Sequence, residues 1–257
     1  MGRNRLKTCQ AGRLVYVVCY TQATPSDGPE ERAAKNKISS AARQKLNFRA
    51  AYRKLELLLA ANFTRQDYFV TLTYSPEHLP TDPAAARACI RKYIKRLRVQ
   101  FGHKGLTLKY IYNTESVPDA PGQPGRLHHH LVISAIDPDT IKSLWGLGLV
   151  YVEPLLDGVN DSYEARARYL VKERDPSLDG RKVGQRGWTP SLNLAKPVET
   201  SKLVPDYVTI QAPPGAFILE RASDTNYYGS YQFLKYLLPE PIDNRPTRPP
   251  GWRPRPT

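Results

Sequence analysis

Short β-branched and aromatic runs alternate along this chain with longer stretches in which apolar residues recur every three or four positions. The short runs predict strands, because Val, Ile, Thr and aromatic side chains suit a pleated, half-buried surface. These runs cover residues 13–21, Asp67–Tyr74, Leu106–Glu115, Leu127–Ile133 and Leu149–Glu153. The longer stretches predict amphipathic helices. They cover Pro29 to about Asn62, Pro83–Phe101, Asp137–Trp145 and Asp161 to about Arg174.

The order of these elements predicts an α+β fold, in which helices flank a central antiparallel sheet. We expect the strands Asp67–Tyr74, Leu106–Glu115 and Leu127–Ile133 to lie together in that sheet. The continuous apolar run at the end of Leu127–Ile133 implies burial, so this strand should be interior.

The pattern weakens after residue 175. We therefore predict one domain over residues 1–175 and a C-terminal elaboration over residues 176–239. The elaboration contains short strand-like runs at Tyr207–Ile210 and Ala216–Leu219, and a run at Tyr231–Leu238 that fits either a helix or a strand. The elaboration also contains four tyrosines, Tyr227, Tyr228, Tyr231 and Tyr236. We expect them to pack in the core or on the surface; the alternative is that they stack on single-stranded bases. Residues 240–257 are rich in Pro and Arg, which predicts disorder.

Charge narrows the class of partner. The 257 residues carry a formal net charge of +14, which favours nucleic acid or, less often, an anionic membrane surface. No apolar run reaches the 18 or so residues of a membrane span, so we expect no membrane partner. Three widely spaced cysteines form no zinc pattern and suit a reducing cytoplasm.

Much of this charge lies on two predicted helices. Arg91, Lys95 and Arg98 recur on one side of Pro83–Phe101 and are candidates for contacts with DNA phosphates, which would not read sequence. The basic residues between positions 35 and 53 form a second such face. A solvated helix surface is the alternative for both.

Three of the five histidines fall in the run Gly125–Ile133. Side chains alternate between the two faces of a strand, so His128 and His130 should point one way and His129 the other. Neutral imidazole is a common metal ligand, and two on one rigid face form a candidate metal-binding pair. The alternative is an ordinary pair of polar residues on a half-exposed strand.

A candidate third ligand is Glu115. It ends the preceding predicted strand, and a loop dense in Pro and Gly follows it. An antiparallel pairing of the two strands would bring Glu115 close to His128. Two histidines and one carboxylate would leave coordination positions open for catalysis; a solvated acid at a strand end is the alternative.

These motifs together resemble the HUH superfamily of rolling-circle replication initiators, most of all its filamentous-phage and microvirus-type branch. The histidine pair and upstream acid resemble the family's metal site, and Thr71-Leu72-Thr73 resembles its upstream strand. Tyr169 and Lys172, three residues apart on a predicted helix, match its nucleophile motif. The resemblance covers roughly residues 68–174. Ala165 stands where two-tyrosine members have a second tyrosine, which implies a single-tyrosine enzyme.

The resemblance implies a mechanism. Mg²⁺ or Mn²⁺, held by Glu115, His128 and His130, would polarise the scissile phosphate. Tyr169 would attack it, leaving a 5′-phosphotyrosine and a free 3′-hydroxyl, while Lys172 would support the metal site or orient the phenol. The implied substrate is single-stranded DNA at a replication origin. The chain has no phosphate-loop motif of a helicase, so a host helicase is an expected partner.

Two functions of other classes remain open at this stage. In one, the chain is a basic nucleic-acid-binding protein without enzymatic activity, and the histidine cluster is incidental. In the other, it is a metal-dependent hydrolase whose nucleophile is water, so Tyr169 would be dispensable.

Overall fold

The computed structural model describes residues 3–21, 41–118, 125–158, 160–171, 187–227 and 229–239. Within these residues the strands are β1 Arg3–Ala11, β2 Leu14–Thr21, β3 Tyr68–Leu72, β4 Tyr110–Pro118, β5 Gly125–Ile133, β6 Val150–Pro154, β7 Thr189–Pro190, β8 Val198–Pro205, β9 Phe217–Asn226 and β10 Gly229–Leu237. The helices are α1 Ala41–Asn62, α2 Pro83–His103, α3 Pro138–Ser143 and α4 Glu164–Val171. No helix of the described residues is long and apolar enough to cross a membrane.

The central sheet has the strand order β6-β3-β5-β4-β7, and all its pairings are antiparallel. The histidine strand β5 is the middle strand, so the predicted α+β fold and the interior position of this strand are confirmed. Both bounds of β4 differ from the prediction: it begins at Tyr110, four residues later than predicted, and it ends at Pro118 rather than at Glu115. The segment before it closes the end of α2, where the amide of Leu106 donates to the carbonyl of Phe101 at 2.8 Å.

A second antiparallel sheet has the order β8-β1-β2-β10-β9. In this sheet β1 pairs with β8 and β2 pairs with β10. The sheet therefore combines strands from before and after the predicted boundary at residue 175. The strand β1 was not predicted, since Arg5 and Lys7 interrupt its apolar pattern. The ambiguous run Tyr231–Leu238 is a strand. The run Tyr207–Ile210 is not one, because a turn closes there, with the amide of Val208 donating to Pro205 at 3.2 Å.

Helix α1 lies between the two sheets. One of its sides packs on the central sheet through apolar residues such as Leu55 and Leu59, which contact the cluster that includes Phe69 and Val132. Another side carries Leu57 into a cluster on the second sheet. The part of the predicted helix before residue 41 lies outside the described residues, as do residues 172–186 and the predicted disordered tail 240–257.

Helix α2 covers the other face of the central sheet. Its N-terminus is capped by Asp82, whose carboxylate accepts from the amides of Ala84 and Ala85, and Pro83 occupies the first turn as predicted. The predicted apolar stripe is buried against the sheet; it comprises Ile90, Ile94, Leu97 and Phe101. The central sheet is therefore covered by α1 and α4 on one face and by α2 on the other.

Candidate active site

The register of the central sheet places five polar residues on one face. His128 lies opposite Glu115 on β4, and His130 lies opposite both Asn113 on β4 and Thr71 on β3. Residues directly opposite each other in a sheet project to the same side. The antiparallel pairing predicted to bring the acid beside the histidines is therefore confirmed.

Glu115 and His130 are in direct contact. An oxygen of the Glu115 carboxylate lies 2.6 Å from Nε2 of His130, and both side chains are buried. The hydroxyl of Thr71 lies 3.0 Å from Nδ1 of the same ring, so both ring nitrogens have partners. The ring is further fixed by Phe69, which stacks on it with centroids 5.8 Å apart.

Tyr169 reaches this pair from helix α4. Its hydroxyl lies 3.2 Å from Nε2 of His130, and the two rings meet edge to face. The opposite side of α4 is buried in the core through Tyr163, Ala167 and Leu170. Helix phase therefore turns Tyr169 toward the sheet face, where its side chain remains 41% exposed.

The surroundings of Tyr169 favour its neutral form. Burial raises the pKa of the phenol, and the nearby carboxylates of Glu115 and Glu153 raise it further. Arg166 opposes them: its guanidinium lies 4.5 Å from the centroid of Phe69 and lowers the pKa of Tyr169. The net effect of these groups is a pKa of Tyr169 above its ordinary value.

Asn113 connects the sheet to the tyrosine helix and was missed by the sequence analysis. Its side-chain amide donates to the carbonyl of Leu170, the residue after Tyr169, at 3.0 Å. Its side-chain oxygen is buried and has no hydrogen-bond partner within the described residues. The sequence could have indicated its position, because side chains alternate along a strand and Asn113 lies two residues before Glu115 on β4.

His129 lies on the opposite face, as predicted. Its ring nitrogens contact the hydroxyls of Tyr74 at 2.7 Å and Thr114 at 2.8 Å, and Trp145 packs edge-on against it. Burial lowers the pKa of His129 to about 3, with smaller contributions from the two neighbouring histidines. It is a neutral core residue at ordinary pH.

The predicted metal ligands share one sheet face but do not form a compact cluster. Among the described residues, no group of three His, Cys, Asp or Glu side chains is arranged to hold a metal ion. A carboxylate, imidazoles and the unsatisfied oxygen of Asn113 lie on the same face, and this donor set fits a divalent cation. Imidazole also binds Zn²⁺, so the expectation of Mg²⁺ or Mn²⁺ rests on the family resemblance. The three-ligand site stays a prediction, with Glu115 and His130 in contact and His128 beside them.

Four predicted site residues remain. Lys172 lies outside the described residues. Arg91, Lys95 and Arg98 are exposed on α2, which packs on the other face of the sheet from Tyr169. Their contact with DNA stays a prediction, and it would occur away from the Tyr169 hydroxyl.

Residues 67–174 match the family model described as Replication-associated protein ORF2/G2P. The match runs from β3 through α4 and includes Glu115, His128, His130 and Tyr169. No curated protein and no solved structure matches the chain. This similarity supports a replication initiator protein that acts on DNA.

Proposed function

We propose that this chain is an HUH-type replication initiator that nicks and rejoins single-stranded DNA at an origin through a covalent 5′-phosphotyrosine at Tyr169. The observation that carries the proposal is the approach of the Tyr169 hydroxyl to His130, which in turn contacts Glu115. Three separate segments of the chain converge here on a partly exposed phenol. The family match over residues 67–174 supports a role in replication.

The reaction exchanges one phosphodiester for another. The Tyr169 phenol loses its proton and its oxygen bonds to phosphorus, while the bond from phosphorus to the 3′-oxygen breaks and that oxygen gains a proton. Because the energy of the broken bond is retained in the phosphotyrosine, a later 3′-hydroxyl can reverse the step and join two ends. The released 3′-hydroxyl can also prime synthesis.

Protein groups hold the reacting phenol in place. Asn113 anchors the backbone next to Tyr169, and Phe69 packs against the Tyr169 ring with centroids 5.7 Å apart. Such positioning lowers the entropic cost of bringing nucleophile and phosphate together. Arg166, which opposes the carboxylates around the phenol, favours its ionisation.

Glu115, His128 and His130 would hold Mg²⁺ or Mn²⁺, which when bound supplies positive charge that polarises a phosphate and offsets charge developing on it. The raised pKa of Tyr169 supports this proposal, because positive charge beside the phenol would favour its ionised form. Lys172 is proposed to act beside this site. A host helicase is the proposed partner for strand separation.

The test is an adduct assay. Labelled single-stranded DNA containing the origin is incubated with the protein and Mn²⁺, and a denaturing gel reports any covalent complex. We expect wild-type protein to form an adduct on the 5′ side of the nick and Tyr169→Phe to form none. Tyr151→Phe is the matched control, because Tyr151 is exposed on β6 and lies opposite Thr71 on the same sheet face.

The same gel, with a native binding measurement beside it, separates the other two functions. Cleavage without an adduct, retained in Tyr169→Phe, would identify a hydrolase with water as the nucleophile. Neither cleavage nor adduct on the denaturing gel, with filter binding that is equal in EDTA and in Mn²⁺, would identify a non-enzymatic DNA-binding protein.

A further inference from the structure

Among the described residues, helix α1 covers one face of the second sheet at one end only. The covered end includes Leu14, Tyr16 and Phe233, which are buried beneath α1. Toward the other end of the same strands the side chains emerge from the core. Tyr231 is 39% exposed, and Tyr20 beside it is half-buried.

Register aligns three side chains across adjacent strands at this open end. Arg5 on β1 lies opposite Tyr20 on β2, and Tyr20 lies opposite Tyr231 on β10. Opposite residues share a face and have Cβ atoms about 5 Å apart. Two tyrosines and an arginine therefore form one row on the surface, which we call the Tyr20–Tyr231 surface.

Cationic groups border these rings. The ammonium of Lys7, two residues from Arg5 on the same face, lies 5.8 Å from the centroid of the Tyr20 ring. Arg5 is held by a hydrogen bond of 3.1 Å from its guanidinium to the hydroxyl of Ser201. The acid in this row is Asp224, which is opposite Tyr231 on the edge strand β9. Positive charge thus predominates on the β1 side of the rings.

Partly exposed aromatic rings on neighbouring antiparallel strands, with basic side chains beside them, suit single-stranded nucleic acid. Bases stack on the ring faces and the cations contact the backbone. Duplex DNA does not match this arrangement, because its bases are already stacked within the helix. The mixture of ring faces and cations also fits a polyanion with planar groups better than it fits a uniformly apolar partner.

We propose that the Tyr20–Tyr231 surface is a binding site for single-stranded DNA, with bases stacked on the two tyrosines and phosphates contacted by Arg5 and Lys7. The choice of DNA rests on the proposed function of the chain. The site is separate from the Tyr169 site and predicts that the second sheet holds part of the substrate strand.

The surface and the tyrosine nucleophile are linked by one contact. Lys235 lies on the same face of β10 as Tyr231, four residues and about 13 Å along the strand. Its ammonium contacts Glu164, which precedes Tyr169 on α4 by five residues, or about 7.5 Å. The Tyr20–Tyr231 surface and Tyr169 therefore lie on two elements, β10 and α4, that are in direct contact.

The test measures stacking rather than cleavage. Binding of a fluorescent oligothymidylate of about 15 nucleotides is compared with binding of an abasic strand of the same length, both in EDTA. We expect Tyr20→Leu and Tyr231→Leu each to weaken oligothymidylate binding roughly fivefold or more, and the double variant about 25-fold or more. Binding of the abasic strand should change by less than about twofold, since it has no base to stack.

Two controls keep the result specific. Tyr20→Phe with Tyr231→Phe retains both ring faces and should bind like wild type. Tyr207→Leu removes a tyrosine that is 77% exposed in the turn after β8, and it should also bind like wild type. Unchanged oligothymidylate binding in the double Leu variant would overturn the proposal. An equal loss for both strands would overturn it too, because backbone contact alone would then explain the effect.

A second measurement uses only wild-type protein. Photocrosslinking to an oligonucleotide that contains 5-iododeoxyuridine, followed by peptide mass spectrometry, should label Tyr20 or Tyr231. Labelling confined to peptides of the central sheet and α4 would overturn the proposal. Neither measurement depends on the Tyr169 adduct: loss of the adduct with stacking intact would count against the proposed function alone, and the reverse outcome against this surface alone.

Discussion

The ammonium group of Lys235 lies 2.6 Å from the carboxylate of Glu164, the first residue of the helix that carries Tyr169. The same ammonium lies 2.8 Å from Glu56 of α1, and Lys235 is only 1% exposed. Burial raises the pKa of Glu56 against the opposing effect of Lys235. Burial would also raise the pKa of Glu164, but Lys235 and Arg168 outweigh it and hold that pKa low. One buried cation thus joins the second sheet, α1 and α4.

Replacing Lys235 by Met should destabilise the protein by about 3–5 kcal/mol, because two carboxylates would lose their buried counter-charge. Urea unfolding followed by circular dichroism measures the loss. The double variant Lys235→Met with Glu56→Gln should recover part of it, since one uncompensated charge is removed. A loss below about 1 kcal/mol in the single variant would show that solvent reaches this pair.

This network illustrates what the sequence could not predict. Glu56 and Lys235 are 179 residues apart along the chain, and nothing in their local patterns identifies them as partners. Lys235 lies in a run that fitted either a helix or a strand, and β1 was missed because charged residues interrupt its alternation. The second sheet depends on pairings between segments that are distant along the chain. The local pattern of apolar and polar residues does not indicate which strands pair.

The central sheet was predictable because local patterns agreed with its tertiary contacts. The apolar run after His130 indicated a buried strand, and a period of two placed His128 and His130 on one face. The helical period likewise puts Tyr163 and Tyr169, six residues apart, about 120° from each other around α4, and only Tyr163 is buried. Asn113 was missed because a lone amide on a strand has no distinctive pattern; its role arises from the contact with Leu170.

Asn113→Ala should slow adduct formation more than it weakens DNA binding. The lost hydrogen bond to the Leu170 carbonyl anchors the backbone beside Tyr169, and a displacement near 1 Å can cost about 100-fold in rate. Single-turnover nicking at saturating DNA and equilibrium binding, measured on the same preparation, separate the two effects. Equal losses in both would assign Asn113 a general structural role instead.

Tyr163→Phe should retain the adduct but reduce stability by about 1–3 kcal/mol. The buried Tyr163 hydroxyl donates to the carbonyl of Phe63 at 2.5 Å, and the variant leaves that carbonyl without this donor. Burial raises the pKa of Tyr163 to about 12. Its neutral form is therefore favoured by folding, so the stabilising contribution is complete below pH 10 or so and is lost as pH rises toward 12.

The pH dependence supplies the check on this tyrosine. The difference in unfolding free energy between wild type and Tyr163→Phe should be constant near neutral pH and should shrink above about pH 10. Urea unfolding at about pH 8 and about pH 11 measures it. Loss of the adduct in Tyr163→Phe, with Tyr169→Phe still active, would mean that the wrong tyrosine of α4 was chosen.

Charge reversal of Arg91, Lys95 and Arg98 should weaken binding to all DNA sequences about equally. These side chains are exposed on α2, so they can contact phosphates but lie on the other face of the sheet from Tyr169. The slope of log affinity against log salt should fall by about 2 for three lost contacts with a single strand. The adduct rate at saturating DNA should be unchanged, and an unaltered affinity would show that another surface holds the DNA.

The last prediction concerns the metal. Glu115→Gln keeps the size of the side chain but removes the negative charge expected to bind a divalent cation, so Mn²⁺ affinity should fall about tenfold or more. His128→Gln and His130→Gln should weaken it as well, because each removes an imidazole donor from the same sheet face. His129→Gln should leave Mn²⁺ affinity unchanged, since this residue points to the opposite face and contacts Tyr74.

Electron paramagnetic resonance of free Mn²⁺, recorded without DNA, gives the affinity independently of nicking. If His129→Gln reduced Mn²⁺ binding as much as His128→Gln did, the ligand set would be wrong; if Glu115→Gln had no effect, the carboxylate would not belong to it.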